Sequence, residues 1–490
     1  MKAYFFTFCS FLSIFLIQAQ EFTATILDSS NNKPIPFVAV QTAKYKGVIS
    51  NEEGVFVIDL EDVSNNQLTI SCLGYNSLTI YINDIISSKN VILLQPAINE
   101  LETVYLSNSK PNVDSIISRV KRNLKANYKS DSLSYTFFQR STSYFDFDEL
   151  DIDVKKASHF KKRQLAKANK QLSEMANNIK TSNAVVFQDI SGHLNAIRKD
   201  STKLEVLKAT QIINSKKDFS LEKIQERAYN VILKYLDTTK TFKLKTGLFK
   251  IEDSLSLSDN EEKEPKKEFN TINLKSSVTS VLSKSQLGKR SMLQKILNTD
   301  NYEYSLTNVI TNDDDILYLI HFEPKRSKAH FTGNIYVSED SHAILKLDYK
   351  YAKGKRGEKL NLRLVLGIKY VENVNQGTII YKKSENGFYE PRYIKSESGE
   401  YFYLNRPLKF IENSENRNKT SFNIKIEGST VNREELLFTE VKHIDLDVFK
   451  NLQEPKSIPY ELLRKYDANK WTGQETIAPS VELKSFEAND

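Results

Sequence analysis

Cysteine is nearly absent from this 490-residue chain: there are two, Cys9 and Cys72. Small exported domains are usually braced by several disulfides, and one pair cannot provide such a framework. Histidine is also sparse, at six positions, and tryptophan occurs once, at Trp471. No proline lies between Asn112 and Glu264, and glycine there is limited to Gly192 and Gly247. Charge of one sign is lacking too: 69 basic residues face 62 acidic ones, for a net +7. That balance over so long a chain excludes a dedicated nucleic-acid binder, which concentrates its cations, so no nucleic-acid partner is expected. After the first twenty residues no apolar run approaches the ~18 residues of a membrane-spanning helix.

What is present is globular: 40% hydrophobic, 27% charged and 11% aromatic residues, enough for two to four domains at ~100–200 residues each. Met1 to Gln20 places one lysine before an apolar run from Tyr4 to Ile17, and a small residue, Ala19, follows. This pattern predicts a secretory signal peptide over 1–19, cleaved after Ala19. Cys9 sits inside the run, not at its end, so it does not read as a lipoprotein acylation site. Cleavage leaves Cys72 as the remaining thiol. It falls in the strand pattern Leu68-Thr69-Ile70-Ser71-Cys72-Leu73, as a buried inert thiol would.

Residues 20–98 alternate with period two between polar turns. Phe22-Thr23-Ala24-Thr25-Ile26, Val55-Phe56-Val57-Ile58, Gln67 to Cys72, Leu78 to Ile82 and Val91 to Leu94 read as short strands. Asn51-Glu52-Glu53-Gly54 reads as a tight turn with Gly54 at positive φ. Regularly spaced short strands predict a β-sandwich. The set Ile26-Leu27-Asp28, Pro34-Ile35-Pro36-Phe37-Val38-Ala39-Val40, Gly47, Asn51 to Phe56 and Ser71-Cys72-Leu73-Gly74-Tyr75 resembles the carboxypeptidase-like regulatory domain. Ala24 departs from the glycine that family often carries in its first strand. The resemblance implies a transthyretin-like sandwich of about seven strands. It also implies a Bacteroidota envelope protein, since such modules there often head outer-membrane proteins. It carries no catalytic residues, and residues 21–96 contain no histidine for a zinc site.

The remaining chain predicts an α+β multidomain protein: a helical middle segment over 99–300 with a polar loop at 253–270, an antiparallel β meander over 301–445, and a tail over 446–490. Pro111-Asn112 opens a helix whose Val113, Ile116, Ile117, Val120 and Leu124 share a face. Leu165, Ala168, Leu172, Met175 and Ile179 give the same spacing, as do Leu221, Ile224, Ala228, Val231 and Tyr235; one more helix is expected over Leu282 to Leu297. Ser134 to Gln139 reads as a strand. From Tyr302 the period becomes two, with eight of the fifteen glycines between Gly333 and Gly428 and a hairpin turn at Asn386-Gly387. Strands are expected at Leu317–Phe322, Asn334–Val337, Ile344–Tyr351, Leu360–Tyr370, Thr378–Lys382, Tyr389–Lys395, Tyr401–Leu404 and Phe422–Ile426, in a sheet of possible half-barrel form similar to that of lipoprotein carriers. Residues near Trp471 are expected to pack on the body.

No catalytic, cofactor or metal site emerges. His321, His330 and His342 with Glu323 match no ligand spacing. Asp313-Asp314-Asp315 lacks the glycine and terminal glutamate of a calcium loop and reads as a hairpin tip. The sequence has no G-x-S-x-G elbow, Walker loop or dinucleotide fingerprint. The unusual feature is an acid-free run with Lys155, Lys156, Lys161, Lys162, Arg163, Lys167 and Lys170. A basic amphipathic helix there is a candidate partner or membrane surface; the plainer reading is a solvated helix face over a core. Tyr389, Tyr393, Tyr401, Phe402 and Tyr403 read either as ligand-stacking aromatics or as cross-strand pairs. The expectation is a non-enzymatic binding or scaffolding component of the envelope, periplasmic or associated with the outer membrane, whose partner is an outer-membrane protein or lipid. The alternatives are a carrier of an apolar ligand in a curved sheet and a hydrolase with an unrecognised site.

Overall fold

The computed structural model describes residues 21–43, 46–97, 111–128, 132–158, 160–181, 184–197, 201–213, 236–237, 239–247, 249–257, 267–312 and 315–488. The expected signal peptide, the helix expected over 221–235, His159 and Asp313-Asp314 lie outside these residues. The chain forms two compact units: residues 1–106, 309–317 and 467–485, and residues 107–308, 318–466 and 486–490.

The first unit holds β1 (Glu21–Asp28), β2 (Ala39–Ala43), β3 (Lys46–Ile49), β4 (Val55–Asp59), β5 (Gln67–Ser71), β6 (Leu78–Tyr81), the short helix α1 (Ile82–Ser87) and β7 (Val91–Leu94). Two sheets, ordered β4-β1-β7 and β3-β2-β5-β6, make the seven-stranded sandwich that the alternation predicts. Ile26, Val38, Phe56, Leu68 and Ile70 fill its interior with at most traces of exposure. Each such side chain contributes roughly 1.5–3 kcal/mol by leaving water. The turn before β4 forms as read: the Asn51 side chain accepts from the Glu53 and Val55 amides at 2.9 Å each, and Gly54 has φ +70°. A Cβ there would stand 2.5 Å from the Ile26 carbonyl oxygen, so glycine is required twice over. Asp28 and Tyr75, far apart in sequence, meet through a Tyr75 hydroxyl donated at 3.0 Å. Hydrogen bonds from the Ser30 hydroxyl and amide, then from Tyr75 and Asn31, hold the Asp28 carboxyl below its usual range. Residues 467–485 are fastened to this sandwich within the unit: Glu475 accepts from the Gly47 amide at 2.7 Å, and Asn51 donates to the Pro479 carbonyl at 3.3 Å.

The second unit is built on one large open sheet. Its strands are β8 (Leu133–Ala157), β9 (Ala184–Ile197), β10 (Ser201–Ile213), β11 (Thr241–Thr246), β12 (Phe249–Ser256), β14 (Tyr302–Asn312), β15 (Asp315–Pro324), β16 (Phe331–Ser338), β17 (Ile344–Tyr351), β18 (Lys359–Leu362), β19 (Ile368–Lys383), β20 (Tyr389–Glu412), β21 (Lys419–His443) and β23 (Glu461–Leu463); β13 (Glu268–Asn270) and β22 (Ser457–Pro459) pair separately. The order is β14-β15-β16-β17-β19-β20-β21-β8-β9-β10-β23. β11 also joins β20 and carries β12, while β18 joins β19. The sheet does not close into a barrel: β14 and β23 are its ends.

Helices cover the sheet in two places. The helices of the second unit are α2 (Val113–Asn127), α3 (Lys162–Lys180), α4 (Thr271–Leu282), α5 (Met292–Ile296), the single turn α6 (Arg363–Leu366) and α7 (Leu446–Asn451); α8 (Val481–Ser485) belongs to the first unit. Asn112 caps α2 by accepting from the Ser115 amide at 3.1 Å. The expected face is the one buried, through Ile116, Ile117 and Val120. These residues join Leu274, Val278, Leu293 and Ile296 over Ile335, Leu347, Ile379, Ile394 and Leu436 of the sheet. A second core lies farther along the long strands, where Ala168 and Leu172 of α3 pack on Val154, Phe410 and Phe422.

The structure departs from the sequence reading in four places. The middle segment contributes strands as well as helices, β8 to β12 among them. Missing prolines and glycines permit long strands as readily as long helices, and the alternation Leu150-Asp151-Ile152-Asp153-Val154 carries the period-two signal with its apolar members buried. The helix expected over Leu282–Leu297 is confined to α5, around Met292, Leu293 and Ile296, while α4 ends at Leu282, where the expected helix would begin. Ser285 turns back to the Leu282 carbonyl at 2.7 Å, and Ser291 caps α5 by accepting from the Gln294 amide at 3.2 Å. The strand expected over Leu360–Tyr370 is broken by α6 and by Gly367 at φ +63°. Asp253 to Ser256, expected in a polar loop, complete β12. The Asn386-Gly387 turn links β19 to β20 as read, with Gly387 at φ +81°.

Candidate functional site

The expected cationic surface is split between two elements. Lys155 and Lys156 end β8, Lys161 precedes α3, and Lys162, Arg163, Lys167 and Lys170 lie on α3; all seven are exposed. The apolar face of α3, with Ala168, Leu172, Ala176 and Ile179, is buried, packed on β8, β20 and β21 residues. The helix therefore presents its cations to solvent while its apolar stripe is already occupied. Lys155 pairs with Asp153, and Lys170 reaches Glu174 at 3.9 Å. Ion pairs this exposed add little.

A constellation that the sequence reading does not single out crosses the middle of the sheet. Asn334, Asp348, Thr378, Lys395, Glu435, Arg140, Asp189 and Thr210 are successive direct partners on β16, β17, β19, β20, β21, β8, β9 and β10. Thr378, Lys395, Glu435, Arg140, Asp189 and Thr210 are buried. Arg140 grips Asp189 through both its nitrogens, Nε to Oδ1 at 2.9 Å and Nη2 to Oδ2 at 2.7 Å. Its guanidinium also lies 5.4 Å from the Phe138 ring centre and 5.8 Å from that of Tyr466. Burial works against the Arg140 charge, yet Asp189 outweighs it and holds the guanidinium's pKa above its usual value. Tyr393 donates to Glu435 at 2.9 Å, and Thr378 to Asp348 at 2.7 Å. One register step along, Glu397 takes Lys395 at 3.2 Å and Arg433 at 2.7 Å, and also accepts from Gln376. Burial pushes the Glu397 carboxyl up, but Gln376, Lys395 and Arg433 prevail and hold it at about 2.

On the opposite, helix-covered face, Glu434 accepts from Gln139 at 2.7 Å and from Ser141. Gln139 in turn reaches Ser277 of α4 at 3.0 Å. Burial pushes the Glu434 carboxyl up to about 7 against these hydrogen bonds and the Lys284 charge. Burial likewise lowers the Lys284 ammonium, which contacts Ser396. Glu390 is raised to about 7 by burial alone.

This arrangement joins strands. The carboxylates alternate with cations at cross-strand distance, the geometry in which opposite charges stabilise adjacent strands, and the oxygens of Asp189 and Glu397 are engaged by fixed donors. The histidines are likewise held separately. His321 meets Asn334 at 3.0 Å and Thr332 at 3.3 Å, while His193 meets Thr136 at 3.1 Å. Among the described residues no three His, Cys, Asp or Glu side chains come together as a metal-binding group. Of the aromatics, Tyr389, Tyr393 and Tyr403 are buried, and Tyr389 packs 6.2 Å from Tyr128. Tyr401 and Phe402 are half-buried, with Phe402 6.1 Å from Phe147.

Of Lys395, Glu397, Arg433 and Glu435, the sequence reading places only Lys395 in a strand. Only the register between strands brings them into rows. No curated protein and no solved structure matches this chain. Residues 22–106, which include the sandwich, match the family model of the CarboxypepD_reg-like domain.

Proposed function

We propose that this is an exported, non-enzymatic binding or scaffolding component of a bacterial envelope, associated with the outer membrane. The observation that carries the reading is how the sheet uses its charge. The buried carboxylates and cations of the central row are spent on one another across strands, with Arg140 and Asp189 the closest pair. The cations on α3 and at the end of β8 are exposed, and two of them, Lys155 and Lys170, reach exposed or half-buried carboxylates. A regulatory-type sandwich joined to such a body suits adhesion to a partner better than turnover of a substrate. The apolar run from Tyr4 to Ile17 supports a setting outside the cytoplasm.

Affinity purification of the chain from native envelopes, followed by proteomics and lipid analysis of one eluate, tests the reading. Recovery of a stoichiometric outer-membrane protein supports it. An eluate holding neither protein nor lipid in fixed ratio overturns it.

A further inference from the structure

Beside the far ends of the long strands, six large apolar side chains are left in water within one unit. Leu360 and Leu362 of β18, Leu364 and Val365 of α6, and Phe249 and Ile251 of β12 are all exposed; Leu364 is 101% exposed and Val365 77%. The two segments are neighbours through Arg406 of β20. Its Nη1 donates to the Leu366 carbonyl at 2.6 Å, its Nε and Nη2 to Thr246 at 2.9 and 3.2 Å, and its guanidinium lies 5.7 Å from the Phe249 ring centre. The α6 turn is fixed: Gly367 donates to the Arg363 carbonyl at 3.1 Å and accepts from the Asn405 amide at 2.8 Å. Nothing in this geometry withdraws the apolar tip, and contiguous exposed apolar surface of this kind marks an interaction site.

The surroundings say what kind. Lys250, Lys245, Lys409, Ser421 and Lys156 are successive cross-strand partners on β12, β11, β20, β21 and β8. Lys250 is balanced by Asp253 at 2.5 Å. Lys245 and Lys409 stand directly opposite each other, an arrangement that costs stability in an isolated sheet, and among the described residues neither forms an ion pair. Among the described residues Arg406 hydrogen-bonds only neutral oxygens, and Arg363 lies 4.1 Å over the Tyr403 ring. An apolar tip beside Lys245 and Lys409, which form no ion pair among the described residues, and Arg406, held by neutral oxygens, is complementary to a surface that is apolar below and anionic above.

We propose that this rim, with Leu364 and Val365 leading, docks the chain on an anionic lipid bilayer. The inference gives the envelope reading its membrane contact. It is tested on purified protein, so it stands or falls separately from the search for a protein partner.

Co-sedimentation with phosphatidylcholine vesicles, with and without phosphatidylglycerol, provides the test. The chain should bind the anionic vesicles, and raising salt should release it. L364D/V365D should weaken binding at least tenfold. K245Q/K409Q should weaken it by roughly fivefold per charge removed and flatten the salt dependence. Far-UV circular dichroism should be unchanged in L364D/V365D, since both side chains face solvent. K162Q/K167Q on α3 should bind within about twofold of the parent, which separates this rim from the helix. Equal retention of parent and L364D/V365D overturns the proposal, as does failure of the folded parent to bind anionic vesicles.

Discussion

Breaking the central pair of the buried row should destabilise the second unit more than any exposed substitution there. The perturbation is Asp189→Asn or Arg140→Met. Both side chains are nearly inaccessible, at 4% and 6% exposure, and two short hydrogen bonds join them. At an effective dielectric of ~20, opposite charges ~4 Å apart attract by about 4 kcal/mol. Removing one member also strands the other without water, for a loss of about 3–5 kcal/mol. The two variants should differ. Asp189→Asn leaves Arg140 beside its other direct partner, Glu435. Arg140→Met strands the Asp189 carboxylate without its cation and leaves Glu435 with Lys395 as its remaining direct cationic partner, so it belongs at the upper end of that range. The double variant R140M/D189L, apolar at both positions, should recover to within about 2 kcal/mol of the parent, because an intact buried pair offers little over well-packed apolar groups. Urea unfolding followed by far-UV circular dichroism measures all four proteins. Trp471 fluorescence, from the first unit, is recorded alongside and should not move, since two units need not unfold in one step. Single variants within ~1 kcal/mol of the parent, or a double variant worse than both singles, would refute the reasoning.

The raised Glu434 carboxyl gives a pH signature of the opposite kind. A folded value near 7 against 4.5 for the free group means that folding favours the protonated form, so stability is lost as pH rises from about 4.5 through about 7. Glu434→Gln should match the parent near pH 4 and exceed it above pH 7 by about 2 kcal/mol, a figure reduced for the residue's partial exposure; equal pH profiles of urea midpoints would count against the assignment. In the first unit, Phe56→Ala should cost about 3–5 kcal/mol, because Phe56 has no exposure. Trp471 fluorescence should report its earlier melting, and an unchanged fluorescence midpoint would show that Trp471 does not unfold with the sandwich core.

The sandwich was legible because its signals are local. Period-two alternation from Phe22 to Leu94, the Asn51–Gly54 turn and the spacing of the apolar residues each depend on neighbours a few positions away. The α2 face, from Val113 to Leu124, was legible for the same reason. The middle segment was harder. Leu165, Ala168 and Leu172 announced α3 correctly, but β9 to β12 were passed over because scarce proline and glycine favour neither helix nor strand. The break at Gly367 was hidden inside a run, Leu360 to Tyr370, that reads as continuous strand.

The sequence by itself determined the sandwich, the capped amphipathic helix α2, the hairpin at Gly387 and the cationic run from Lys155 to Lys170, since propensity, periodicity and turn chemistry act over short spans of chain. Tertiary structure alone decided which charges meet. Arg140, Asp189, Lys395 and Glu435 come from four strands, and a shift of one residue in any pairing would turn its side chains to the other face. The same register placed Lys245 opposite Lys409 and left Leu364 and Val365 in water beside Phe249. No single segment carries that information, because cross-strand register is set by the burial of a whole face at once.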